Sequence, residues 1–292
     1  MSVITRVAEP TEYAGPGVRE RVRQELRAGW MVWRREMLHL LRDRTRVVMS
    51  LLQPFLFLLV LGVGLSRLID SVGTAPGAGP AYLVFLFPGV LVMAVQAPAV
   101  SVGASIVWDR QSGFLREMLV APVRRSTLLI GKCLGGATVA AVQGAVVLVV
   151  AGVVGVPYRL DLFLLLFAEL LLASLVMTAL GAVVAVTIQR MATFHTVLGA
   201  LITPVLFLSG AMFPLASMPA WMAALAVLNP LTYVIDVMRR TVGAFTTTDG
   251  TPLAGPVTWA GRELPVALEV GLVVGFVVVL LGVAVRRFSR AE

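Results

Sequence analysis

Long stretches of this chain contain no charged residue, among them 47–66, 71–108, 133–158, 191–235 and 270–285. Crossing the hydrocarbon core of a bilayer takes roughly 20 apolar residues in a helix. Runs of that length cannot all be buried in one water-soluble core, and only 14% of the 292 residues are charged, against about 25% in typical soluble domains. The chain therefore reads as an all-α integral membrane protein. Six transmembrane helices are expected at 47–67, 82–107, 129–156, 162–188, 194–213 and 265–285. A cytoplasmic segment, 1–46, precedes the six-span domain, 47–292.

Charge sets the orientation. With the N-terminus inside, 19 of the 24 basic residues fall on cytoplasmic segments and five outside, as the positive-inside rule requires. Both termini are then cytoplasmic. The run 191–235 is long enough for two spans, but a seventh crossing would put Arg286, Arg287 and Arg290 outside. Pro204, Pro214, Pro219 and Pro230 also interrupt it. One span followed by two short helices, 218–228 and 231–242, fits better. These dip into the outer leaflet and return, and backbone of that kind persists only where protein or a water-filled cavity shields it.

The first 46 residues are polar and rich in arginine, without the apolar core of a secretory signal. Val18, Val22, Leu26, Trp30, Trp33, Met37, Leu40 and Leu41 recur at helical spacing, so an amphipathic helix at the inner membrane surface is expected. Its polar face is open to a partner. Cys133 is the single cysteine and can form no intrachain disulfide.

Several chemistries lack their residues. The nearest approach to a phosphate-binding loop, "STLLIGKC" at 126–133, has Ser in place of the first Gly and Cys in place of the Mg²⁺-binding hydroxyl. The two histidines, His39 and His195, lie far apart in the sequence, with no Cys/His cluster for a metal. The segment "WDRQSGFLREMLVAPVRRS", 108–126, is charged and sits between two spans. Gly113 and Pro122 bracket a helix of about two turns, with Phe114, Leu115, Met118 and Leu119 on one face. Its apolar face can lie in lipid, or Phe114 can fill a groove on a cytoplasmic protein inside a charged rim. Within the spans, Glu169 and Glu269 are costly unless paired or protonated. Gln53 and Gln96, beside Pro54 and Pro98, are candidates to line a path. Gly131-x-x-x-Gly135 and Gly271-x-x-x-Gly275 permit close helix approach.

Two of these segments carry a family resemblance. "WDRQSGFLREMLVAPVRRSTLLIGK" resembles the cytoplasmic loop of ABC-2-class permeases of ATP-binding-cassette exporters, nearest to the daunorubicin-resistance type. "LSGAMFPLASMPAWMAALAVLNPLTYVIDVMRR", 208–240, resembles the same family's outer segment. The resemblance covers nearly the whole chain. It implies a coupling helix that contacts an ATPase through Asp109, Arg110, Gly113, Phe114, Leu115, Arg116, Glu117, Met118, Pro122 and Arg124. It implies a connecting helix bearing Trp30, Trp33, Arg34 and Glu36, and an outer gating hairpin with Phe213, Pro214, Trp221, Asn229, Pro230 and Tyr233. It further implies a separate ATPase subunit that binds ATP and Mg²⁺, a second permease chain as a homodimer, contact with membrane lipids, and a bacterial cell membrane. No cofactor or nucleic acid is expected on this chain. The expected activity is export of a hydrophobic or amphipathic drug, antibiotic or lipid, without covalent chemistry in the permease. Polysaccharide or lipid-linked glycan export shares the architecture. A proton-coupled transporter using Glu169 and Glu269, and a membrane-embedded lipid-modifying enzyme, are the rivals from other classes.

Overall fold

The computed structural model describes residues 18–72, 77–112, 124–246, 255–259 and 262–290. The chain starts with α1 (Val18–Arg42). Asp43 then accepts the Arg46 N–H at 3.1 Å and caps α2 (Arg44–Val72). Pro54 lies inside α2 and a π-helical stretch, Phe57–Gly62, follows it, because a proline removes one backbone donor and loosens the ladder. There follow α3 (Ala78–Gln111), α4 (Arg125–Val154), α5 (Leu160–Thr187) and α6 (Met191–Leu208). The last nine residues of α4, Val146–Val154, wind as a 3₁₀ helix and stop at Gly155, φ +87°. Two shorter helices, α7 (Ala220–Leu228) and α8 (Pro230–Thr246), meet at 89°. A two-residue hairpin, β1 (Thr258–Trp259) with β2 (Arg262–Glu263), leads into α9 (Val266–Arg290).

Six of these helices, α2 to α6 and α9, are long and apolar enough to cross a membrane. They match the six expected spans, with ends displaced by up to five residues. The fifth ends at Leu208 rather than 213, because the Ser209 hydroxyl turns back to Leu206 O and Gly210 takes φ +75°. The sixth runs on past 285 to Arg290 as helix. The α7–α8 pair, bent by 89°, falls where the hairpin of two short helices is expected, 218–242.

Burial separates centre from periphery. In α3, 72% of the membrane-crossing window is buried, against 22% in α2 and α6 and 17% in α9. A central helix must be approached closely, and glycine makes that possible. A Cβ on Gly103 would stand 2.5 Å from Gly181 O of α5, and one on Gly89 would stand 2.6 Å from Ala211 O.

The structure shows which face of α1 packs on the rest of the chain. Its packed face is Ala28, Gly29, Trp33 and Glu36, laid against the start of α4, while Val18, Val22, Leu26 and Trp30 face outward. Gly29 O lies 3.0 Å from where a Gly131 Cβ would be, and Glu36 Cβ lies 3.0 Å from that of Gly135. The Trp33 indole donates to the Thr138 hydroxyl at 3.2 Å. So α1 ascends beside α4, in the same direction, through the small-residue face. Close backbone approach outweighs large apolar side chains in choosing the intramolecular face, and the apolar stripe is left for surroundings outside this chain.

Candidate functional site: two charged clusters and a cleft

At one end of the spans, three helices meet at charges. Lys132 of α4 donates to Asp109 of α3, both buried, and Arg35 of α1 stands 3.9 Å from the other Asp109 oxygen. Glu25 of α1 accepts the Arg124 N–H at 3.0 Å and the Thr127 hydroxyl, closing the first turn of α4 as a capping residue would. The Thr127 bond outweighs the slight desolvation and, with the Arg124 N–H and charge, holds Glu25 below the usual carboxylate range. Gln111 ties the end of α3 to the α5–α6 turn by donating to Gln189 O at 3.0 Å.

Beside this cluster lies a half-open cleft of about 1300 Å³, walled by α1, α2, α3, α4 and the start of α6. On α3 its wall runs from Ser112 to Ala97, which at 1.5 Å per residue is a depth of about 22 Å. Glu36, Arg46, Trp108 and His195 line it, with Gln53 farther along α2. Ser50, Ser101, Ser105 and Gln143 add hydroxyl and amide groups to the wall. Gln143 is held by a bond to the Ser50 hydroxyl. A mostly apolar cleft that carries these polar groups and is half-open suits a ligand with a hydrogen-bonding head and an apolar remainder.

A second cluster, at the opposite end of the spans, is built on two adjacent arginines of α8. Arg240 bonds Asp236 at 2.7 Å, Glu269 of α9 at 2.9 Å and Leu264 O at 2.9 Å. Asp236 also accepts the Val257 N–H at 3.3 Å. Glu269 is fully buried, and its second oxygen has no hydrogen-bond partner among the described residues. Arg239 turns the opposite way. Its guanidinium lies 3.8 Å over the Phe85 ring of α3 and donates to Gly210 O at 2.5 Å, at the end of α6. One turn of α8 thus fastens the hairpin to α3, α6 and α9.

The Asn-Pro-Leu-Thr-Tyr run now has a physical account. A helix broken by 89° in an apolar setting must satisfy its freed backbone groups from side chains. Asn229 accepts the Leu231 N–H at 3.1 Å, with Pro230 at the first helical position where it needs no partner. The Asn229 amide donates to Val205 O of α6, the Thr232 hydroxyl to Ala226 O at 2.7 Å, and the Tyr233 hydroxyl to Val227 O at 2.5 Å. Asn229→Ala should therefore lower stability by about 0.5–2 kcal/mol, seen as a lower Tm of the purified chain in detergent.

The sequence-predicted residues fall into three groups. Gly113, Phe114, Leu115, Arg116, Glu117, Met118 and Pro122 lie outside the described residues. Asp109 is not an exposed rim charge, because Lys132 draws its carboxylate inward; Arg110 is half-buried and Arg124 exposed. Trp30 is exposed and stacked on Trp33 with ring centroids 4.6 Å apart, and Arg34 is exposed. Glu36 lines the cleft. Phe213 and Trp221 face outward, and Pro214 precedes a short 3₁₀ turn, whereas Asn229, Pro230 and Tyr233 are interior. Of the three path candidates, Gln53 lines the cleft and Gln96 and Glu169 do not. Glu169 instead accepts the Thr241 hydroxyl of α8 at 2.5 Å. Reading from the sequence missed Lys132 and Asp236. The signal for Lys132 was its being the sole lysine in a chain of arginines, set at the start of a span.

Six helices long and apolar enough to cross a membrane, a sharply bent helix pair and a cleft between the helices describe a polytopic membrane protein. The model of the ABC-2 type transporter family matches residues 27–242, and the chain belongs to that family. Nodulation protein J of Rhizobium leguminosarum bv. trifolii is 30% identical over 211 residues, 71% of this chain and 78% of its own. The transport permease ycf38 of Cyanophora paradoxa is 27% identical over 210 residues, 70% and 71% of the two chains. The inner membrane transport permease YadH of Escherichia coli is 25% identical over 194 residues, 66% and 75%.

Proposed function

We propose that this chain is the membrane subunit of an ATP-driven exporter of the bacterial cell membrane. A separate ATPase subunit binds ATP and Mg²⁺ and docks on the segment 113–123 around Phe114. The chain pairs with a second copy of itself, for which the exposed faces of α2, α6 and α9 offer surface. An amphipathic, drug- or antibiotic-like substrate enters the cleft from the cytoplasm or inner leaflet and leaves under the α7–α8 hairpin. The observation that carries this reading is the cleft itself, about 1300 Å³, reaching from Ser112 at the base of the docking segment to Gln53 within the span.

The hydroxyl and amide groups on its walls support a second reading, in which the polar head belongs to a lipid-linked glycan. A proton relay through the two membrane acids has less support, since neither Glu169 nor Glu269 lines the cleft. Phe114→Asp should reach the membrane in normal amount yet lose the ATPase on co-purification. If the ATPase stays bound and transport persists, docking at Phe114 is wrong.

A further inference from the structure

The only lysine of the chain is buried, and among the described residues its ion partner is the buried Asp109. Around them lie Val107, Leu129 and Cys133, all buried. In such a place an apolar pair holds two helices at least as well as an ionic one, so stability does not account for the charges. What an ammonium–carboxylate pair adds is direction: one oxygen of Asp109 takes Lys132, and the other faces Arg35 of α1. Asp109 lies four residues before Gly113, and Lys132 follows on the far side of the same segment. α1 is pinned to this part of α4 through Gly29, Trp33 and Glu36, and Arg35 and Asp109 both face the cleft.

We infer that Lys132, Asp109 and Arg35 form a coupling clamp. They join α1, the end of α3 and the start of α4 into one body, so that a push on 113–123 reaches the cleft walls instead of being absorbed by a hinge at its base. These are positioning residues, and the inference rests on the proposed reading that an ATPase drives the chain through 113–123.

The test uses the permease–ATPase complex in a Cys133→Ala background, which removes the one native thiol. Spin labels are placed at Arg34→Cys on α1 and Leu201→Cys on α6, and their separation is measured with ADP and with ATP plus vanadate. The unmodified clamp should give a nucleotide-dependent change in distance. D109L/K132M should keep its melting temperature, bind the ATPase and hydrolyse ATP, while the distance change falls by at least half. D109N, which keeps the shape and one hydrogen bond, should fall between. A full distance change in D109L/K132M overturns the clamp; if that variant does not reach the membrane, a full change in D109N does so. If the complex with the intact clamp never forms, the exporter reading fails first and takes the clamp with it.

Discussion

Arg240→Met is expected to give a chain with a much lower melting temperature and an outer hairpin open to protease. Arg240 is the one cation within reach of both Asp236 and Glu269 among the described ion pairs. Removing it leaves two carboxylates with side-chain exposures of 8% and 0% and no opposite charge between them. Breaking a buried pair from one side costs about 3–5 kcal/mol, where 1.4 kcal/mol is already tenfold in an equilibrium constant. It also frees Leu264 O, which fixes the entry to α9. The triple change R240M/D236N/E269Q, which leaves no charge behind, should recover most of the loss. Thermal unfolding in detergent with limited trypsin digestion measures both. A melting temperature unmoved by Arg240→Met would mean that the outer cluster does not hold α8 to α9.

Lys132→Met is expected to be the other severe single substitution. Asp109 would keep only Arg35, at 3.9 Å and half exposed, so its burial would go largely uncompensated, at a similar cost of about 3–5 kcal/mol. D109L/K132M should be near neutral, since apolar replacement of a buried pair often costs nothing. The two single losses would then fail to add, which is the signature of direct coupling in a double-mutant cycle. Additive losses would place the two groups in separate environments.

The spans were legible because lipid imposes a rule that composition obeys: a helix of sufficient length without charge has nowhere else to go. The α7–α8 hairpin was legible too, because four prolines and the count of basic residues forbade a seventh crossing. What the sequence could not reveal was where a charge at a span end goes next. Arg239 and Arg240 add to the outer tally equally well in headgroups or folded inward over Phe85 and against Glu269. Asp109 reads the same way on a docking rim or under Lys132. For α1, periodicity marked the stripe of Val18, Val22, Leu26 and Trp30 that faces outward, but not the glycine contacts that seat the other face on α4. Glu169 and Gln96 looked like path residues because both are polar at depth; Thr241 engages one oxygen of Glu169, and the other is buried with no partner among the described residues.

The central claim is that this chain forms the path and another supplies the energy. Its most direct test is uptake by proteoliposomes holding the purified permease with its ATPase, nucleotide sites outward, using daunorubicin as a fluorescent probe and a lipid-linked glycan in parallel. The account predicts accumulation of one of the two probes that requires ATP and both chains, stops with vanadate, and falls when Gln53 is replaced by Leu. Accumulation by the permease alone, driven by a proton gradient without ATP, would contradict it.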